Sequence, residues 1–457
     1  MNSSDKVQLE INKTRYSIAA LSMYRNIASD PVIHSLNKLL DCFFEDDFDL
    51  LHTIKLYNEF FYELMNRNHN FSIKEYLIEK IIFDENLFTL SSEKSGSERI
   101  NESIIKIISN DLVSLQHISS LSPLHIKNDL LNRYSLSDFE KQVVESLPEW
   151  NTGVLDSCES IAHYPHVLSA MYLLTCSNDW SGCTDGLADF YNKFGSGIFS
   201  RYKAFIWEHR NDATNLRGVE NPDPVALQEL IGYDAERSQV INNTLQFLKG
   251  FPANNILLYG DRGTGKSSTV KAILNEYHTQ GLRLVEIPKK HLMDFPEVIR
   301  ILSGRKQKFI IFIDDLAFED NEESYTGLKA VLEGGIESRP ENVVIYATSN
   351  RRHLIKERFS DRSGLYSSNT DDEIRSSDTI QEKLSLSDRF GITVVFSSPD
   401  KYKFLEIVDG LILQREIKAD KEFVHREALK WELWYNGRSP RTARQFVDWL
   451  EGELAAR

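Results

Sequence analysis

Ile256-Leu-Leu-Tyr-Gly260-Asp261-Arg262-Gly263-Thr264-Gly265-Lys266-Ser267-Ser268 decides how this chain reads. It joins a short apolar run to a glycine-rich turn of the form G-x-x-x-x-G-K-[ST], and then to the first residues of a helical pattern that stops before Gly281. Glycines at 260, 263 and 265 let backbone N–H groups close on phosphate oxygens at a helix N-terminus, where the partial positive charge favours an anion. Lys266 would then reach the β- and γ-phosphates, and the Ser267 hydroxyl would ligate Mg²⁺.

Working outward, four more apolar runs of strand length alternate with helix-length segments: Leu282–Ile287, Phe309–Ile313, Val343–Ala347 and Ile392–Phe396. Such runs predict an α/β core with a five-stranded parallel sheet covered on both faces. The third strand ends in Asp314 and Asp315. Asp314 is placed on the magnesium side, acting through water, and Asp315 next to the attacking water, although Glu is the commoner residue there and Asp is one methylene shorter. Glu319 is a weaker candidate base. The fourth strand ends in Thr348-Ser349-Asn350, at the carboxyl edge where open α/β sheets bind ligands, so Asn350 is a candidate to position water or sense the γ-phosphate.

Before this core, from Ile18 to about Tyr134, apolar residues recur at three- and four-residue steps, as in Leu36, Leu39, Leu40 and Phe43. This predicts five or six amphipathic helices, with breaks at Asp30-Pro31, Ser91 to Glu98 and Ser122-Pro123. Gly195 and Gly197 form a GxG with no strand before it, which reads as a turn. The expected organisation is a mainly helical N-terminal region over 1–207 that recognises a partner or substrate, a linker over 208–225, the nucleotide core over 226–400 and a small helical lid over 401–457.

With 53 Lys and Arg against 68 Asp and Glu, the net charge of −15 disfavours a general polyanion-coating protein. Lys289-Lys290 and Arg351-Arg352 are the candidate basic patches for nucleic acid, and no aromatic residues are interleaved with them. No run is long and apolar enough to span a bilayer, and no apolar leader starts the chain, so a cytoplasmic location without a membrane partner is expected. Cys42, Cys158, Cys176 and Cys183 show no CxxC pair and read as incidental thiols.

The phosphate loop, the Phe309–Asp315 strand, Asn350 and Leu386-Ser-Asp-Arg-Phe-Gly391 together resemble the AAA+ ATPase superfamily. The stretches IFIDDLAFED, YTGLKAVLEGGIESRPENVVIYATSNRRHL and EKLSLSDRFGI are similar to bacterial ATP-binding proteins grouped as domain of unknown function 815. The resemblance is strong over about 231–446 and weaker upstream, through Phe194 to Trp207. It implies ATP with Mg²⁺ as cofactors and an arginine finger at Arg389 that completes a neighbouring subunit's site in a homo-oligomeric ring. It also implies a second sensor at Arg441, with Arg444 as the next choice, and an adenine-side segment at Ile231-Gly232. Two departures limit it: Pro288–Phe295 lacks the aromatic-hydrophobic-Gly loop that grips polypeptides, and 360–379 is a polar insertion. The expected function is an ATPase that remodels or loads an unidentified protein partner. The alternatives are a nucleotide-dependent switch with little turnover and a DNA-associated helicase-loader type.

Overall fold

The computed structural model describes residues 3–45, 49–67, 72–95, 100–133, 136–150, 165–210, 213–316, 340–350, 389–435 and 437–455. It divides into two compact units, Met1–Arg201 and Tyr202–Arg457. No described helix is long and apolar enough to cross a membrane.

The first unit is helical. Eight helices lie between Ser3 and Arg133 among the described residues, more than the periodicity suggested. The break at Asp30-Pro31 is a helix start: Asp30 accepts a hydrogen bond from the Val32 N–H at 2.9 Å, and Pro31 sits in the first turn, where its missing N–H costs nothing. Ser122-Pro123 likewise precedes the helix Pro123–Arg133. The expected break over Ser91–Glu98 is wrong for its first half, because the helix Leu87–Ser95 runs through it. Its polar residues are satisfied inside: Ser92 donates to the Phe88 carbonyl at 2.7 Å, and buried Glu93 accepts from the Ser196 N–H and hydroxyl at 3.2 and 2.8 Å. Ser196 lies between Gly195 (φ 91°) and Gly197 (φ 58°), so the GxG is a turn, as expected.

Trp150 anchors this core, edge-on to Phe60 with ring centres 5.1 Å apart, its indole N–H donating to the Leu121 carbonyl at 3.0 Å. A second anchor is polar. Buried Asp111 accepts the backbone N–H groups of Ser22, Met23 and Tyr24 at 2.7–3.1 Å, pinning the chain where the first helix ends. Asp111→Ala strands these donors and is expected to cost about 2–4 kcal/mol. A urea midpoint, followed by far-UV circular dichroism, that did not move would contradict this.

The second unit is built on one seven-stranded sheet, whose strands β1 (Ala204–Arg210), β2 (Ala213–Gly218), β3 (Ile256–Gly260), β4 (Leu282–Glu286), β5 (Lys308–Ile313), β6 (Val343–Ser349) and β7 (Ile392–Phe396) are ordered β2-β1-β4-β5-β6-β3-β7. The five expected strands are β3 (Ile256–Gly260), β4 (Leu282–Glu286), β5 (Lys308–Ile313), β6 (Val343–Ser349) and β7 (Ile392–Phe396), all parallel. β5 and β6 are buried almost throughout, which is why they read as continuous apolar runs. The two extra strands are β1 (Ala204–Arg210) and β2 (Ala213–Gly218), an antiparallel hairpin that joins the sheet through parallel pairing of β1 with β4. The sequence reading had divided these residues between the N-terminal region and the linker. Phe205 and Trp207 are buried whereas Glu208 and His209 are not, so the apolar pattern of β1 stops halfway along the strand and reads as polar connector.

Three helices, Lys401–Gln414, Lys421–Trp434 and Pro440–Ala455, follow the sheet and bury Phe404, Ala428 and Phe446 in a core continuous with it. The α/β class, the parallel five-stranded core and the helical C-terminal segment therefore stand.

Candidate nucleotide-binding site

The loop leaves β3 at Gly260, which has φ 138°; a Cβ there would lie 2.0 Å from the Phe396 carbonyl oxygen of β7. Only glycine permits that approach. The turn is held by the Asp261 N–H donating to the same carbonyl at 3.1 Å, and by the Asp261 carboxylate accepting from the Ser398 N–H at 2.8 Å. Hydrogen bonds from Ser398 keep the Asp261 carboxyl below its usual range, so it stays charged. Gly263 (φ 76°) and Gly265 (φ 90°) turn the chain into the helix Lys266–Tyr277, within which Lys266, Thr269 and Val270 are buried.

The loop turns its cation inward. The Lys266 ammonium donates to the carbonyls of Gly260 (2.9 Å) and Asp261 (2.7 Å) and to Asn350 Oδ1 (3.1 Å). Burial pulls its pKa down, while Asp261, Asp314 and Asp315 act the other way. Asn350 donates through Nδ2 to Asp315 Oδ1 at 2.6 Å, so one amide joins the cation to the candidate water-activating carboxylate. Asp314 Oδ1 accepts from the hydroxyls of Ser267 and Thr348, each at 2.6 Å. Ser267 and Asp314 thus bring hard oxygen donors together at a helix N-terminus, a set that fits Mg²⁺ and not a softer ion.

Asp315 has φ 52°, the left-handed region that a non-glycine residue enters at a cost of about 1–2 kcal/mol. Its N–H donates to Thr348 Oγ1 at 2.8 Å, which holds it there. Its second carboxylate oxygen lies 3.5 Å from the Lys289 ammonium. Lys289 therefore faces this site as well as standing beside Lys290. It was missed as a site residue because only the packing of β4 beside β5 brings the two segments together. Thr348 and buried Arg237, which lines the cavity, were missed too. Near Asp314, burial and that neighbouring charge push the Glu286 carboxyl up.

Above the loop lies a cavity of about 520 Å³, large enough for a nucleotide. Arg262, Thr264 and Ser268 line it beside Gly263, Gly265, Lys266, Ser267, Asp314, Asp315, Thr348 and Asn350, whereas Gly260 and Asp261 shape the loop from outside its lining. Ile231 lines the cavity and packs on Gly410, where a Cβ would come within 2.6 Å of its Cγ2; Gly232 (φ 74°) is not among the lining residues but approaches Ile407, which is, closely for lack of a side chain. Arg441 and Arg444 come from the last helix and line the same cavity, the Arg441 N–H donating to the Gly263 carbonyl at 3.2 Å. The lid thus touches the phosphate loop directly.

Arg389 is not brought to this cavity. It lies three residues before β7, at the opposite end of the sheet from the loop. Glu319, Arg351-Arg352, Asp388, Cys158 and the 360–379 insertion lie outside the described residues. Of the other cysteines, Cys42 and Cys183 are buried and Cys176 is exposed.

The family described as protein of unknown function (DUF815) matches residues 200–454. No curated protein matches the chain. Among solved structures, a variant of RuvB from Thermotoga maritima is 16% identical, with 49% of this chain and 72% of that chain covered at a TM-score of 0.30. A likeness that low adds nothing to the fold seen directly in the sheet order.

Proposed function

The chain belongs to the DUF815 family, and from that premise we propose that its C-terminal unit binds ATP and hydrolyses it to ADP and phosphate. The observation that carries this reading is the connected set Lys266–Asn350–Asp315 beside Ser267–Asp314, at the mouth of a nucleotide-sized cavity. Lys266 and the loop N–H groups would hold the β- and γ-phosphates, displacing the ammonium from its own loop carbonyls. Ser267 and Asp314 would hold Mg²⁺, which supplies charge neutralisation on the phosphates. Asp315 would orient the attacking water and take its proton, with Asn350 fixing the carboxylate. Arg441 would sense the γ-phosphate and, through the lid's hydrogen bond to Gly263, pass its presence to the three C-terminal helices.

Arg389 cannot serve its own site: β7 alone, five residues long, separates it from the loop end by about 17 Å. As a finger it would act on a second copy, which makes the working form a homo-oligomer of unassigned size. The helical N-terminal unit is then the surface through which turnover remodels or loads a protein partner. A switch with little turnover is the second reading. It is favoured by Asp315 being held by Lys289 and Asn350 together and being a methylene shorter than Glu. DNA association gains no support from Lys289, which is paired with Asp315.

Asp315→Asn separates binding from chemistry. ATP affinity is expected to stay within about threefold while phosphate release falls by about 100-fold or more, the scale of losing a general base. Undiminished release would remove Asp315 from the mechanism.

A further inference from the structure

His209 on β1 and His291 and Asp294 on the short turn Lys289–Asp294 come from segments about 80 residues apart and gather at one point on the second unit. Their candidate ligand atoms all lie within 4.8 Å of one another. His209 Nε2 is 2.6 Å and His291 Nδ1 3.6 Å from Asp294 Oδ2, and the two imidazoles stack with centres 4.2 Å apart. We propose that these three residues bind one transition-metal ion, at a site separate from the nucleotide cavity.

Two imidazoles and a carboxylate suit Zn²⁺, Co²⁺ or Ni²⁺, not the all-oxygen preference of Mg²⁺ or Ca²⁺. The support expected around such a set is present: the Trp207 indole N–H donates to Asp294 Oδ2 at 2.9 Å and orients the carboxylate. His291 is largely shielded, with its side chain 11% exposed. His209 is 44% exposed, so an ion has an entry path and a coordination position is left to water. Bonds of about 2.1 Å in a four-coordinate site place donors about 3.4 Å apart, so no gap in the set has to close by more than about 1.4 Å. In binding, His209 exchanges its hydrogen bond to Asp294 for the metal, and both become ligands. The same turn carries Lys289, so the ion would also fix the segment that reaches Asp315.

The test is a calorimetric titration of the full-length, metal-stripped chain with Ni²⁺, without nucleotide or Mg²⁺, in a Cys158→Ser/Cys176→Ser background that removes Cys176, the exposed thiol among the described residues, together with Cys158. One equivalent should bind with micromolar or tighter affinity. His209→Ala and His291→Ala should each weaken it at least tenfold, whereas Asp314→Asn should leave it unchanged. Ni²⁺ should also raise the thermal midpoint of the parent and not of His209→Ala, an exposed position whose variant should fold. No saturable binding, or binding unaffected by both histidine variants, would overturn the site. Because nucleotide is absent throughout, neither outcome depends on the ATPase reading.

Discussion

Lys266→Ala is expected to lower ATP affinity by about 100-fold or more, the largest single effect on binding in the cavity. The side chain is buried and bound to two loop carbonyls and Asn350, so its cation is held at the loop and has only to exchange these acceptors for phosphate oxygens when nucleotide arrives. Truncation removes the charge and also takes one donor from each of three acceptors, although the Asp261 carbonyl keeps the Thr264 hydroxyl. Two effects oppose a complete loss: the loop N–H groups remain, and the lid arginines Arg441 and Arg444 still line the cavity. Fluorescent-nucleotide titration checks the outcome. An affinity within twofold of the parent would mean that phosphate binds elsewhere.

Arg389→Ala is expected to leave ATP affinity almost unchanged and reduce turnover by about 1000-fold, the scale of a missing arginine finger. The split follows from position: Arg389 precedes β7, whose other end meets the phosphate loop through the Phe396 carbonyl. In a mixture with Asp315→Asn, some sites combine an intact Asp315 from one copy with an intact Arg389 from another. Phosphate release should therefore recover to a fraction of the parent rate. No recovery at any mixing ratio would rule out a shared site.

The central strands were legible because β5 and β6 bury both faces, leaving no polar residue to interrupt Phe309–Ile313 or Val343–Ala347. Lys266, Ser267 and Asp314 were legible because their spacing is the chemistry: one loop and one strand end supply cation, hydroxyl and carboxylate. What escaped depends on lateral packing. β1 ends in Glu208-His209-Arg210, a polar stretch that reads as connector until its pairing with β4 is seen. The same neighbour relation of β1 to β4, and of β4 to β5, brings His209 to Asp294 and Lys289 to Asp315, contacts with no signature in local spacing. Thr348 was noted only as a polar edge residue, yet its hydroxyl receives the Asp315 N–H and donates to Asp314, fixing both acids. The missed helix at Ser91–Ser95 has a related cause, because its polar side chains are satisfied internally.

Phosphate release from ATP with Mg²⁺, followed over a series of protein concentrations, tests the account most directly. Specific activity should rise with concentration and then saturate, as copies assemble and Arg389 of one completes the site of the next. Tight ATP binding with no phosphate release at any concentration would contradict it, and would leave a nucleotide-held switch in its place.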